Sequence, residues 1–334
     1  MSAIWKQRPE GGTRFSLWMI RTIARRGGRL VARALLYPIV LYFLALRGPE
    51  RRASRQYLTR ALGRRAGVFA VARHVHTFAA TILDRVFLLG ENLKRFDVRV
   101  QGLDPLHEAL ETHGGVLLFG SHLGSFEVLR VLARERPDIP VRVVLDKAHN
   151  PAMTQVLDAL NPAIAATVID AGQDGPSIVL AIQQAIAEKA IVALLVDRTQ
   201  PGEPAFPVEF LGAPARLPAA PWMIAAVLHA PVVLAFGLYR GGNRYDLVFE
   251  PFSGPMRIAR QDRGTVLADM ARRYAARLEH HARSAPYNWF NFYDYWHTTD
   301  GASPDDQPQL RTPDGDALPR PAGRDDVPGV GRAA

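Results

Sequence analysis

Apolar and basic positions interleave from residue 14 to 46, RFSLWMIRTIARRGGRLVARALLYPIVLYFLAL. Arginines recur between Trp18, Met19, Ile20 and Ile23, the spacing of an amphipathic helix with a cationic side. The apolar run 34–46, interrupted by Pro38, falls short of the roughly 20 residues a helix needs to span a bilayer. Arginines 47, 51, 52, 55, 60, 64 and 65 follow, and a second helical pattern covers 68–89.

From about residue 99 the texture changes. Short β-rich runs, GGVLLFG (114–120), VRVVL (141–145), TVID (167–170) and IVALLVD (191–197), alternate with helical stretches. Helices are predicted from 120 to about 136, from about 152, over 178–188, near 219–228 and over 264–283, with a Pro-rich loop after 197. Strands near 232–239 and 245–249, joined by Gly-Gly-Asn, predict an antiparallel pair. The alternation predicts an α/β fold, a mostly parallel sheet flanked by helices, with reactive groups at strand-to-helix turns.

Composition narrows the function. At 334 residues, with 48% hydrophobic and 22% charged positions, the chain is long and apolar enough for a sizeable core. It has no cysteine, which excludes disulfides, thiolate–zinc sites and a cysteine nucleophile. The net charge of +9 is concentrated at the start: residues 1–100 hold 20 Lys and Arg against 5 Asp and Glu. Arginine stems snorkel to headgroups while Phe15, Trp18, Tyr37, Tyr42 and Phe43 suit an interface, so 14–46 is expected to lie in a membrane surface. A buried core helix with a charged outer face, or one tilted span starting further upstream, are the alternatives. Nucleic acid is a weaker partner, because no helix-turn-helix, zinc or RNA-binding signature accompanies the arginines. Three regions are expected: a basic helical membrane-anchoring region (1–95), an α/β core (96–300) and a disordered tail (301–334) rich in Pro, Gly, Asp and Arg.

Candidate chemistry gathers in GGVLLFGSHLGSFEVLR (114–130). An apolar strand ends at Gly120 and His122 follows in the turn. Gly124 and Ser125 then supply flexibility and a helix N-cap, with Glu127 in the first turn. Glu127 is placed to accept the Nδ1–H of His122 and leave Nε2 free as a general base. Backbone N–H groups at the helix start are expected to steady a developing oxyanion. The plainer reading makes His122 a turn residue and Glu127 a first-turn acid complementing the helix dipole. Three rival motifs fail. Gly120-Ser121-His122-Leu123-Gly124 has His where a nucleophile elbow needs Ser, His107-Glu108 lacks the second histidine of a zinc protease, and no dinucleotide or phosphate-loop fingerprint occurs. His74 and His76 have no nearby acidic partner and are expected to be structural.

The pattern H-x-x-x-x-[D/E] after a Gly-containing apolar strand resembles the motif of glycerolipid-type acyltransferases. The surrounding sequence resembles the lipid A biosynthesis lauroyl/myristoyl acyltransferase family over roughly residues 10–297. Asp197-Arg198-Thr199-Gln200 stands where these enzymes show Asp-Gln or Asp-Arg. VEFLGAPARLP (208–218) resembles their Phe-Phe-Gly loop, with Phe210, Gly212 and Arg216 in matching places. PYNWFNFYDYW (286–296) resembles their aromatic C-terminal block but is richer in Asn, Phe and Tyr, which suggests a subgroup.

The resemblance implies an O-acyltransferase with His122 as base and Glu127 orienting it, requiring no metal and no cofactor. The acyl donor would be an acyl carrier protein or coenzyme A thioester, and the acceptor a hydroxyl of a lipid or glycolipid of the lipid A or lipopolysaccharide type. Arg198 and Arg216, with Gly124 and Ser125, are the expected substrate-binding residues. The expected site of action is the cytoplasmic face of the inner membrane, with a peripheral attachment or one span. A thioesterase using the same dyad, and a non-catalytic membrane-binding scaffold, are the competing functions.

Overall fold

The computed structural model describes residues 29, 31–89, 95–129, 138–148, 154, 165–200 and 202–296. Most of the amphipathic segment before residue 31, the helix expected from about 152 and the tail from 301 lie outside them. Of the helix expected from 120 to about 136 only the part to 129 is described, and it holds a short 3-10 turn, Phe126–Leu129, instead of an α-helix.

Three helices come first. Helix α1, Leu36–Leu46, is apolar on all sides and turns Leu36 and Val40 inward. Helix α2, Gly48–Leu62, starts at a sharp bend of 98°. Pro49 sits in its first turn, where a missing N–H costs nothing, and Gly63 closes it in the left-handed conformation at φ 65°. Helix α3 is Val68–Leu89, the span its hydrophobic period predicts.

The core follows as β1 Asp97–Gln101, α4 Asp104–His113, β2 Val116–Gly120, β3 Val141–Leu145, β4 Ile169–Asp170, α5 Gly175–Ala187 and β5 Ile191–Leu195. Then come β6 Ala205–Phe210, β7 Ala213–Pro218, α6 Ala220–Val227, β8 Val232–Gly241, β9 Arg244–Ser253 and α7 Arg263–Ser284. Seven strands form one sheet in the order β1-β9-β8-β2-β5-β3-β4. Every neighbouring pair is parallel except β8 and β9, the antiparallel pair expected from the Gly-Gly-Asn turn. The α/β class is as the alternation predicts.

All five residues of β2 are buried, as a central parallel strand requires. Leu117 and Phe119 point to one core with Tyr57, Trp222 and Tyr274, while Val116 and Leu118 point to the other with Leu83 and Tyr245. Helices α2 and α3 supply residues to these same two cores, so they pack with the sheet in one compact body. Nor do all the early arginines face outward. Arg29 binds the buried Asp84 through Nε at 2.7 Å, and Arg33 reaches Tyr239 Oη at 2.8 Å.

Two local readings are corrected. The segment after 204 is not a Pro-rich loop but a β-hairpin, β6–β7, turned by Leu211 and Gly212 at φ 54° and 72°. Its prolines obscured the alternation, yet Pro207 and Pro214 sit on the exposed side of a two-stranded ladder, where a missing donor is tolerated. Helix α4, with Pro105 in its first turn, was not anticipated from the pattern.

Candidate active site

Strands β2 and β5 are parallel neighbours with Gly120 opposite Leu195. Residues two beyond each strand therefore leave the sheet side by side, and those residues are His122 and Asp197. Asp197 holds His122 at two points: Oδ2 accepts the backbone N–H at 3.0 Å, and Oδ1 lies 2.8 Å from ring Nδ1. A carboxylate only accepts, so Nδ1 carries the proton and Nε2 is the bare, basic nitrogen. The His122 side chain is 32% exposed and that of Asp197 is fully buried. Among the described residues, none hydrogen-bonds His122 Nε2.

The expected His122–Glu127 pairing is not what the geometry gives. Glu127 Oε1 lies 2.6 Å from Nε of Arg85 on α3, and its Oε2 accepts from Ser125 Oγ at 2.8 Å. The turn after His122 explains this. Its residues make isolated bridges to Trp289 and Gly237, and a short 3-10 turn, Phe126–Leu129, carries Glu127 toward α3 rather than back to the imidazole. Asp197 takes the orienting position instead.

The amides of Gly124 and Ser125 are engaged within the fold. The Gly124 amide donates to Asn288 O at 2.8 Å and the Ser125 amide to Gly237 O at 2.8 Å, so neither is free to hold an oxyanion. Both glycines at this crossing are required. Gly124 has φ 78°, and a Cβ there would lie 1.9 Å from Gly237 O; a Cβ on Gly237 would lie 2.1 Å from Ser125 O.

The aromatic block 286–296 braces the site. Trp289 Nε1 donates to Asp197 Oδ2 at 2.9 Å, Tyr295 Oη to Asp197 O at 3.2 Å, and the Phe290 amide to His122 O at 3.0 Å. The buried Asn288 side chain bonds both N and O of Tyr239 in β8. Behind Trp289, fully buried His74 donates from Nε2 to Trp289 O at 2.9 Å and accepts at Nδ1 from Ser54 Oγ at 2.8 Å. Burial lowers the His74 pKa to about 4, so it is a neutral strut, as expected of a structural histidine.

Electrostatics favour a neutral base beside an ionised acid. Burial lowers the His122 pKa, Arg198 and Arg85 lower it further, and Asp197 opposes them. Burial alone pushes Asp197 up, but His122, Arg198 and the Trp289 N–H hold it at about 2.

Arg198 follows Asp197 directly. It donates to Phe290 O at 2.7 Å and lies 5.6 Å from the centre of the Tyr293 ring, while its buried Nε has no hydrogen-bond partner among the described residues. Arg216 lies in the hairpin opposite Pro207 and is half-buried.

Sequence reasoning missed Asp197 as the partner of His122, and with it the supporting contacts of Trp289, Asn288 and Arg85. One signal was present: both His122 and Asp197 follow apolar strands by two residues, and only the adjacency of those strands was hidden.

A histidine at the carboxyl edge of a parallel sheet, held by a buried carboxylate and flanked by an arginine, is an arrangement compatible with general-base chemistry. Residues 71–298 match the bacterial lipid A biosynthesis acyltransferases, more than half of the chain, and the protein belongs to that family. It is therefore an acyltransferase, of a family whose reaction generally needs no cofactor. Among curated proteins none matches the chain.

Proposed function

We propose that the protein is a membrane-surface O-acyltransferase that moves a fatty acyl chain from an acyl carrier protein or coenzyme A thioester to a hydroxyl of a lipid A-type lipid or glycolipid. The observation that carries this reading is the bare Nε2 of His122, set by the Nδ1 contact with Asp197. Nε2 removes the acceptor hydroxyl proton as that oxygen attacks the thioester carbonyl carbon. A C–O bond forms and the carbonyl becomes an oxyanion, for which Arg198 is the available cation. The C–S bond then breaks and the leaving thiolate takes the proton from the imidazolium, so the base is restored. Asp197 keeps the tautomer and stabilises the imidazolium. Glu127 holds Arg85 and Ser125 in the wall of the site. Arg216 is assigned an outlying contact with donor or acceptor.

Membrane attachment is supported by α1, whose Tyr37, Leu41, Tyr42 and Leu46 are each more than half exposed. Among the described residues no single helix is long and apolar enough to cross a bilayer. The proposed site of action is the cytoplasmic face of the inner membrane.

The test is thiol release from a panel of acyl carrier protein and coenzyme A thioesters, in detergent, with and without total bacterial lipid. Release that needs both His122 and lipid supports acyl transfer, and mass spectrometry of the lipid names the acceptor. His122-dependent release without lipid points to a thioesterase. A folded His122→Ala variant as active as wild type would overturn the proposal.

A further inference from the structure

The outward side of α2 carries a built cationic groove that the transfer chemistry does not use. Arg52, Arg55, Gln56 and Thr59 fall at i, i+3, i+4 and i+7, one face of the helix, while Ala53, Tyr57, Leu58 and Ala61 are buried on the other. With Arg60 and Arg65 they line a groove of about 450 Å³. The far wall is fixed: Thr59 Oγ1 donates to Arg55 O at 2.8 Å and accepts the Ala66 amide at 3.2 Å, which draws the Arg64-Arg65 turn back against the helix.

None of Arg52, Arg55 and Arg65 forms an ion pair among the described residues, and the buried Nε of Arg60 has no partner. The guanidinium groups of Arg52, Arg55 and Arg65, without an ion pair among the described residues, share the groove with Arg60, whose guanidinium lies 4.8 Å from the centre of the Trp296 ring. Like charges so placed repel one another unless an anion joins them. Guanidinium forks match phosphate oxygens in particular.

What lies beside the groove decides the kind of anion. Immediately after Arg65, Val68 and Phe69 open α3 facing outward, 49% and 87% exposed. A phenylalanine held that far into solvent beside arginines suits an interface where the ring enters an apolar layer while the cations stay among phosphates. An acidic protein would satisfy the arginines and leave Phe69 without a reason.

We propose that this groove seats the phosphodiester headgroups of anionic lipids, and that Val68 and Phe69 insert beside it as a second footing, apart from α1. This rests on the membrane-surface reading above and adds to it a lipid class and a set of residues.

The experiment is vesicle co-sedimentation of the full chain on phosphatidylcholine alone and on phosphatidylcholine mixed with phosphatidylglycerol, across a salt series. Each arginine near an anionic surface contributes about fivefold in partition. The variant Arg52→Ala/Arg55→Ala/Arg65→Ala should therefore lose on the order of a hundredfold on mixed vesicles and little on phosphatidylcholine. Phe69→Ser should weaken binding to both. His122-dependent transfer in detergent should survive in both variants, which shows they are folded and keeps this test separate from that of the reaction. The proposal is overturned if the triple variant partitions like wild type, or if its only defect is a raised KM for the carrier-protein thioester. Wild type that binds neither vesicle would overturn the membrane reading as well, leaving the chemistry of His122 standing.

Discussion

Asp197 Oδ1 lies 2.8 Å from Nδ1 of His122, although 75 positions separate the two residues in the chain. The contact exists because β2 and β5 are parallel neighbours and each residue stands two places beyond its strand. Sheet register thus sets the base and its carboxylate at a fixed separation.

Asp197→Asn removes the acceptor that fixes the tautomer while keeping the size of the side chain. Turnover is expected to fall about a thousandfold or more at every pH. Far-ultraviolet circular dichroism should remain that of wild type. Steady-state kinetics beside that spectrum checks both halves of the statement.

Burial holds the His122 pKa down, and Arg198 nearby lowers it further. The base acts when neutral, so the acid limb of kcat/KM reports its deprotonation in the free enzyme and should lie below pH 6.5. Arg198→Gln removes a cation and raises that pKa, moving the limb toward neutral pH. Loss of the oxyanion partner should also lower kcat by about a hundredfold. A pH–rate series on both proteins reads the two effects separately, and an unmoved limb would contradict the assignment.

The sheet was legible in the sequence because its central strands are short apolar runs bounded by glycine or charge, and β2, β3 and β5 fall where those runs do. The position of His122 was legible too, since it closes such a run. Its partner was not. Asp197 lies 75 positions from His122, and only the strand order brings the two together. Glu127 misled for the opposite reason: it is near in sequence, but Arg85 lies on a helix the motif does not include. The support from Trp289 and Asn288 was equally hidden, because an aromatic-rich segment reads alike as core, acyl pocket or interface.

His74 links fold stability to pH. Its folded pKa of about 4 lies below the ordinary 6.5, so the folded state binds fewer protons than the unfolded state between those values. Stability is full above pH 6.5 and falls as pH drops toward 4, by on the order of 3 kcal/mol. Denaturant unfolding at a series of pH values should show this slope in wild type and a flatter one in His74→Gln.

Gly124 and Gly237 cross too closely for any side chain. Gly124→Ala and Gly237→Ala should each destabilise the fold by about 3 kcal/mol or more, as overpacked and strained positions do, and abolish transfer. Thermal unfolding of each variant, with residual activity measured alongside, tests this; a Gly124→Ala protein with native Tm would be incompatible with the crossing.

The most direct test of the central claim is the ring-nitrogen spectrum of 15N-histidine-labelled protein, with the His122 signals assigned by comparison with His122→Gln. The account predicts a neutral imidazole protonated at Nδ1 in wild type and in Glu127→Gln, and loss of that fixed tautomer in Asp197→Asn. A tautomer that survives in Asp197→Asn but is lost in Glu127→Gln would contradict it and return the orienting role to Glu127.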